Sequence, residues 1–250
     1  MNFENVKVVI PARYGSTRLH AKALLLIQGK PLFWHVVQRC LESGIELDNI
    51  VIATDDHRIM DLAESLFLPV LMTSKDHQSG TDRLCEVANT LNWSKQTVVI
   101  NVQGDEPLIP NLLIKAVAAF KLSQPQFSIV TAVAPLNDYD DFINPNVVKA
   151  IMGEGGRALY FTRSSAPINR SDTQDLSLAY RHIGIYAYTV ESLNLFCSFP
   201  ESLLERYEKL EQLRALSNGL TIGALCFEGK VSHGVDSAAD FEKIKHIMES

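Results

Sequence analysis

The run Val6-Lys7-Val8-Val9-Ile10-Pro11 is nearly continuous in apolar, mostly β-branched residues instead of alternating. That pattern reads as a strand buried on both faces, which restricts the chain to a layered α/β architecture. The strand opens into a loop that carries Arg13, Gly15, Ser16, Thr17, Arg18 and Lys22 and runs to about Leu26. Strands that end in basic loops are common phosphate-holding devices in α/β proteins.

The next hundred residues repeat strand and helix with short connections. Pro31 stands at a first-turn position of a helix over Leu32–Leu41 that ends near Gly44. Asn49–Thr54 reads as a strand, closed by Asp55-Asp56, and Asp56 is placed to cap a helix bearing Ile59, Leu62, Ala63 and Leu66 on one face. Pro69–Met72 reads as a strand, Asp82–Leu91 as a helix, Thr97–Val102 as a strand, and the segment from Pro110 to about Lys121 as a helix. This order predicts a parallel sheet with helices on both faces and a ligand site beyond the strand C-termini. Both the basic loop and the acidic loop Gln103-Gly104-Asp105-Glu106-Pro107 fall there.

After Ser128 the pattern changes. Ser128–Ala134, Val147–Met152, Ala158–Arg163 and His182–Tyr188 are strand-like, and Asn169–Ala179 is a polar loop. Residues 128–200 therefore read as a smaller mixed or antiparallel lobe inserted in one 250-residue domain. Leu203, Tyr207, Leu210, Leu213 and Leu216 recur at helical spacing, which predicts one helix over Leu203–Leu216 stopped by Gly219. Thr221–Phe227 is a late strand and Ala238–Met248 a closing helix, with Asp236 in the loop before it.

Composition limits the partners. The net charge of −6 gives no electrostatic footprint for general nucleic-acid binding, so the basic loop is a local cation cluster suited to a small anion. Cys40, Cys85, Cys197 and Cys226 are far apart without a C-x-x-C pair, which points to reduced thiols. No apolar run approaches the length of a membrane span, and the chain enters a strand directly. The expected compartment is the cytoplasm.

Arg13, Arg18 and Lys22 can share the charge of a triphosphate, with Gly15 letting the backbone approach; alone they also fit a solvated basic loop. Asp105 suits Mg²⁺, which takes one or two carboxylates plus phosphates. A turn and a helix cap are the plain alternatives for Asp105 and Asp236. Ser79-Gly80-Thr81-Asp82-Arg83 reads as a helix start, His182 as a packed histidine, and Glu211-Gln212 as a solvated helix face. Pattern alone reaches an α/β protein that binds a nucleotide with Mg²⁺. It does not separate a nucleotidyltransferase from a glycosyltransferase that uses a nucleotide sugar, although no spaced D-x-D metal motif stands at the strand ends.

Taken together, VIPARYGSTRL, TSKDHQSGTDRL, INVQGDEPLIP, NPNVVK, ALYFTRS, YRHIGIYAY, LEQLRAL and GVDSAADFEKI, in this order, resemble the 3-deoxy-manno-octulosonate cytidylyltransferases, or CMP-Kdo synthetases. The resemblance implies a Rossmann-like nucleotidyltransferase fold whose inserted lobe binds sugar and builds a homodimer. It implies transfer of CMP from CTP to the anomeric hydroxyl of Kdo with Mg²⁺, releasing pyrophosphate and feeding lipopolysaccharide assembly. By resemblance, Ala12, Arg13, Ser79 and Gly80 look like cytidine contacts, and Arg18 and Lys22 like catalytic triphosphate contacts. Asp105 and Asp236 look like the catalytic Mg²⁺ carboxylates. Gln103, Arg83, Arg163, His182, Tyr186, Glu211 and Gln212 look like the sugar-acid pocket. The alternatives are a cytidylyltransferase for another acidic acceptor (amino-Kdo, a sialic-acid-like sugar or a phosphonate) and a weakly active CTP-binding paralogue.

The chain departs from the family pattern R-L-P-G-K-P-L, reading Arg18-Leu19-His20-Ala21-Lys22-Ala23-Leu24. If the family glycine has positive φ, Ala21 costs about a kcal/mol or more. The loss of two prolines frees the unliganded loop. Weaker CTP binding than in a proline-containing relative is expected, and the triple change His20→Pro, Ala21→Gly, Ala23→Pro should lower the KM for CTP; an unchanged KM counts against this.

Overall fold

The computed structural model describes residues 3–15, 19–77, 79–232 and 234–250. In chain order the elements are β1 (Val6–Ala12), β2 (Leu26–Ile27), β3 (Lys30–Pro31), α1 (Leu32–Glu42), β4 (Ile50–Thr54), α2 (His57–Ser65), β5 (Val70–Met72), α3 (Gly80–Thr90), β6 (Val98–Asn101) and α4 (Asn111–Ser123). There follow β7 (Ile129–Pro135), α5 (Tyr139–Ile143), β8 (Lys149–Met152), β9 (Arg157–Thr162), β10 (Tyr180–Thr189), α6 (Val190–Ser198), α7 (Leu203–Glu208), α8 (Gln212–Ser217), β11 (Ile222–Cys226) and α9 (Ala238–Glu249).

Among the described residues nine strands form one sheet in the order β5-β4-β1-β6-β10-β7-β11-β9-β8, with β8 also pairing β10. The half built from β5, β4, β1 and β6 is parallel, with Ile10 opposite Ile52 and Val8 opposite Ile100. Strand β10 then runs antiparallel to both β6 and β7, and β11 is parallel to β7. Residues 128–200 thus add strands to the centre of the sheet as well as to its far edge.

The continuous apolar run of β1 is explained by the layers. Val6, Val8 and Ile10 pack on one face with Phe33, Val37 and Leu113, while Val9 packs on the other with Leu84, Val87 and Val99. Val8, Val9 and Ile10 are fully buried. Burying such a side chain stabilises by about 1.5–3 kcal/mol, so a charged residue at any of the three would break the central strand.

The structure corrects the reading of 203–216 as one helix. Lys209 adopts a left-handed conformation (φ 55°) and separates α7 from α8. The stripe is broken accordingly: Leu203 and Tyr207 are 81% and 90% exposed, while Leu210 and Leu213 are buried. Ser202 and Glu205 cap α7 reciprocally, and Glu205 also receives a bidentate fork from Arg214 (2.9 and 2.6 Å), folding α8 back over α7. Helix α6 was not anticipated, although Thr189 and Ser192 form a capping box at its start. Pro31 and Pro110 are N-cap residues, one position earlier than a first turn. Among the described residues no helix is long and apolar enough to cross a membrane.

Candidate active site

A cleft of about 400 Å³ lies beyond the C-terminal ends of β1 and β6. Of the expected site residues, Ala12, Arg13, Lys22 and Gly80 line it on the β1 side. Gln103, Asp105, Tyr186 and Glu211 line the other side. Tyr186 arrives there because β10 sets it opposite Asn101, the last residue of β6. Arg18 lies outside the described residues.

Close approach of backbone builds the acidic end. A Cβ on Gly104 would meet the Pro11 carbonyl at 2.6 Å, so only glycine lets this loop lie against β1. Val235 N–H donates to the Asp105 carbonyl (2.8 Å), and a Cβ on Gly234 would stand 3.1 Å from that same oxygen. The two loops are thereby docked together. Lys22 projects from a short 3-10 turn and pairs with Asp105 and with Asp236 (3.5 Å). Asp236 is not the cap of α9; Ser237 is.

Glu106 was not among the expected site residues. Burial pushes its carboxyl up to about 8, with Asp105 and Asp236 adding to the effect and Lys22 opposing it. Its signal in the sequence was adjacency to Asp105, which did not reveal its burial.

Glu211 and Gln212 are not a solvated face. Glu211 Oε2 accepts from Thr81 Oγ1 (2.9 Å), while Glu211 Oε1 and Gln212 Nε2 are buried with no hydrogen-bond partner among the described residues. Burial raises the Glu211 carboxyl above the usual carboxylate range, against the hydrogen bonds that lower it. Buried polar atoms without partners are costly and rare, so they mark places where a ligand can supply the missing bond.

The remaining expected residues lie off the main cleft. Ser79 caps α3 and lines an adjoining cavity with Glu211. Arg163 is tied to backbone carbonyls of Glu208 (2.7 Å) and Pro145 (2.9 Å). Arg83 does not reach the cleft. It sits on the sheet-facing side of α3, fully buried, and bonds Asp55 (2.8 Å) and Thr73.

His182 lines a smaller cavity of about 150 Å³ with Glu106 and Arg181. Its Nε2–H donates to Thr131 Oγ1 (2.9 Å), whose own hydrogen goes to the Ile185 carbonyl (2.8 Å). Burial pushes the imidazole down to about 4 from 6.5. Folded His182 therefore binds fewer protons than unfolded His182 between these values, and stability is full above pH 6.5 and lost as pH falls toward 4. The expected loss is about 3 kcal/mol. Urea midpoints measured across this range should fall in the wild type and flatten in His182→Gln; equal slopes would contradict a buried neutral histidine.

With the geometry in place, comparison with known proteins is decisive. The family model described as cytidylyltransferase matches residues 7–222. The 3-deoxy-manno-octulosonate cytidylyltransferase of Cellvibrio japonicus is 44% identical over 250 residues, covering 97% of each chain. That of Alcanivorax borkumensis is 45% identical over 244 residues, covering 95% of this chain and 96% of its own. This chain belongs to the 3-deoxy-manno-octulosonate cytidylyltransferase family. A solved CMP:2-keto-3-deoxy-manno-octonic acid synthetase complexed with CTP superposes with a TM-score of 0.90 at 35% identity, covering 98% of both chains. The inositol-1-phosphate CTP transferase of T. maritima, at 19% identity and TM-score 0.69, shares the fold.

Within this cytidylyltransferase the unusual loop keeps a left-handed turn. Ala21 has φ 52° and ψ 28°. His20 takes up a side-chain tie instead: its Nε2 meets Tyr14 Oη at 3.0 Å, and Arg58 stacks 3.3 Å over the Tyr14 ring. A left-handed conformation costs an L-residue about 1–2 kcal/mol, part of which glycine loses to unfolded-state entropy. Ala21→Gly should therefore stabilise by roughly 0.5–1 kcal/mol in urea denaturation; destabilisation would contradict the strained turn.

Proposed function

We propose that this cytidylyltransferase transfers CMP from CTP to the anomeric hydroxyl of 3-deoxy-manno-octulosonate and releases pyrophosphate. The observation that carries the reading is the cleft in which Lys22 bridges Asp105 and Asp236 while Tyr186 and Glu211 face them. Attacking and departing oxygens must lie in line about the α-phosphate, so the work of the residues is positioning and charge neutralisation.

Arg13 and Gly15 sit at the nucleotide end, and Ala12 and Gly80 leave room for a base beside Pro11. Lys22, with Arg18, balances the triphosphate and the leaving pyrophosphate. Gln103, Tyr186 and Glu211 bind the sugar. A polyhydroxylated acid supplies the bonds that Glu211 Oε1 and Gln212 Nε2 lack. Neutral His182, with its Nε2–H held by Thr131, leaves Nδ1 to accept from a sugar hydroxyl without bringing charge, and Arg163 adds positive potential for the sugar carboxylate. Arg83 holds the scaffold.

Mg²⁺ fits the donors. Asp105 and Asp236, from loops distant in sequence, converge on the single ammonium of Lys22. Among the described residues no group of three or more His, Cys, Asp or Glu is placed to hold a metal. Two carboxylates completed by phosphate oxygens and water are a usual Mg²⁺ set. When bound there, the ion would neutralise phosphate charge and make the sugar hydroxyl more acidic. Asp105 and Asp236 would hold it, and Lys22 would turn from them toward phosphate.

The product would feed lipopolysaccharide assembly from the cytoplasm. A homodimer is part of this reading, and the exposed Ile168, Leu178, Leu203 and Tyr207 offer apolar surface for it. The test is pyrophosphate release from CTP with Mg²⁺ over Kdo, an 8-amino analogue, a sialic acid and a phosphonate. Preference for Kdo is expected. Preference for another acid, or no release with any, would overturn the assignment.

A further inference from the structure

Two thiols meet where α3 packs on α6. Cys85, on α3, donates to Asn194 Oδ1 (3.0 Å), and Asn89 Nδ2 donates to that same oxygen (3.0 Å) and to Cys85 Sγ (3.5 Å). Cys197, one turn beyond Asn194 on α6, donates its thiol hydrogen to the carbonyl of Thr81 (3.7 Å), which lies one turn before Cys85 on α3, so the two thiols face each other across the same seam. Both residues are only partly buried, and Cys197 lines the cavity adjoining the main cleft. Cys40 is enclosed and Cys226 lies at the surface.

The environments of the two sulfurs differ. Cys85 Sγ accepts from Asn89 Nδ2, a bond that favours its thiolate and lowers its thiol against the opposing effect of burial. The Cys197 thiol instead gives its hydrogen to the Thr81 carbonyl, and burial works against its ionisation. The Asn89 N–H donated to Cys85 Sγ, with no such donor to Cys197 Sγ among the described residues, makes Cys85 the nucleophile and Cys197 the resolving partner.

The contact also reaches the cleft. The thiol hydrogen of Cys197 bonds the first turn of α3 at Thr81, and Thr81 Oγ1 holds Glu211 (2.9 Å), which lines the cleft together with Gly80.

We propose that Cys85 and Cys197 form an oxidation site at which hydrogen peroxide closes a disulfide, withdrawing Cys197 from Thr81 and disturbing the α3 end of the cleft. The Cys85 thiolate attacks one peroxide oxygen and the O–O bond breaks. Water leaves once protonated, and a sulfenic acid remains. Cys197 sulfur then attacks Cys85 sulfur, the S–O bond breaks, and a second water leaves with the Cys197 proton. The two sulfurs lose two electrons, and one peroxide becomes two waters.

The effect on activity rests on the proposed cytidylyl transfer, whereas the thiol chemistry does not. The experiment treats the full chain with hydrogen peroxide, counts free thiols after denaturation and maps peptides without reduction. Free thiols should fall from the four in the sequence to two, with a Cys85–Cys197 cross-linked peptide. Pyrophosphate release should fall roughly tenfold in kcat/KM, as small misplacements at a site allow, and recover with dithiothreitol. Cys85→Ser and Cys197→Ser should keep the untreated rate and resist the fall. Four surviving thiols, a cross-link through Cys40 or Cys226, or sulfinic acid at Cys85 without a cross-link would overturn the site. A cross-link with an unchanged rate would overturn its connection to the cleft. An untreated protein that never releases pyrophosphate, yet forms the cross-link, would instead remove the proposed function and leave the site standing.

Discussion

Asp105→Asn is expected to lower turnover by about a hundredfold or more at saturating CTP, because it removes a principal electrostatic element of the site. Asp105 and Asp236 bring two negative charges onto one position, now held by the Lys22 ammonium. An amide keeps the shape of the carboxylate but cannot neutralise a divalent ion. Global stability should change little. The Asp105 side chain is 28% exposed, and partly solvated ion pairs contribute at most about a kcal/mol. Lys22 also retains Asp236. The check is pyrophosphate release against Mg²⁺ concentration, alongside urea denaturation of the same variant. Turnover near wild type with unchanged Mg²⁺ dependence would remove Asp105 from the metal assignment.

Asp55→Ala is expected to cost about 3–5 kcal/mol of folding stability, the range for leaving one member of a buried ion pair uncompensated. The Arg83 side chain is fully buried and Asp55 is 17% exposed. Arg83 Nη2 donates to Asp55 Oδ2 at 2.8 Å, Nη1 donates to Thr73, and Nε is buried with no partner among the described residues. Removing Asp55 therefore strands a charge inside the protein. The double change Asp55→Leu with Arg83→Met should recover most of the loss, since apolar replacement of a buried pair is often close to neutral. Urea midpoints at constant m-value measure both variants. A loss below about 1 kcal/mol for Asp55→Ala would mean that Arg83 does not depend on Asp55 and is available to a ligand after all.

Arg83 shows where reading the sequence stops. Its neighbours Ser79 and Gly80 do reach the site region, and the stretch Ser-Gly-Thr-Asp-Arg marks a helix start correctly. Which way the fourth residue of that helix points depends on how α3 rolls on the sheet. That orientation is set by Leu84, Val87 and Ala88 packing against Val9, Val51 and Val99. Glu211 and Gln212 illustrate the opposite error. Helical periodicity over 203–216 placed them on a wet face, but the left-handed Lys209 ends one helix and starts another, and the rotation carries both side chains inward. Conformations that reverse a helix in one residue leave almost no periodic trace.

The sequence by itself determined the parallel β1–β4–β6 half, because uninterrupted apolar runs and local caps such as Asp56 are encoded within a few residues. It also marked Arg13, Lys22, Gln103, Asp105 and Asp236 as chemistry at strand ends and loops. Only the tertiary structure decided that β10 enters the sheet antiparallel beside β6, bringing Tyr186 to Asn101. It likewise decided that Asp105 and Asp236, 131 positions apart, meet on Lys22. These depend on long-range packing and on glycine-permitted backbone contact at Gly104 and Gly234, where the energy lies between segments and not within either one.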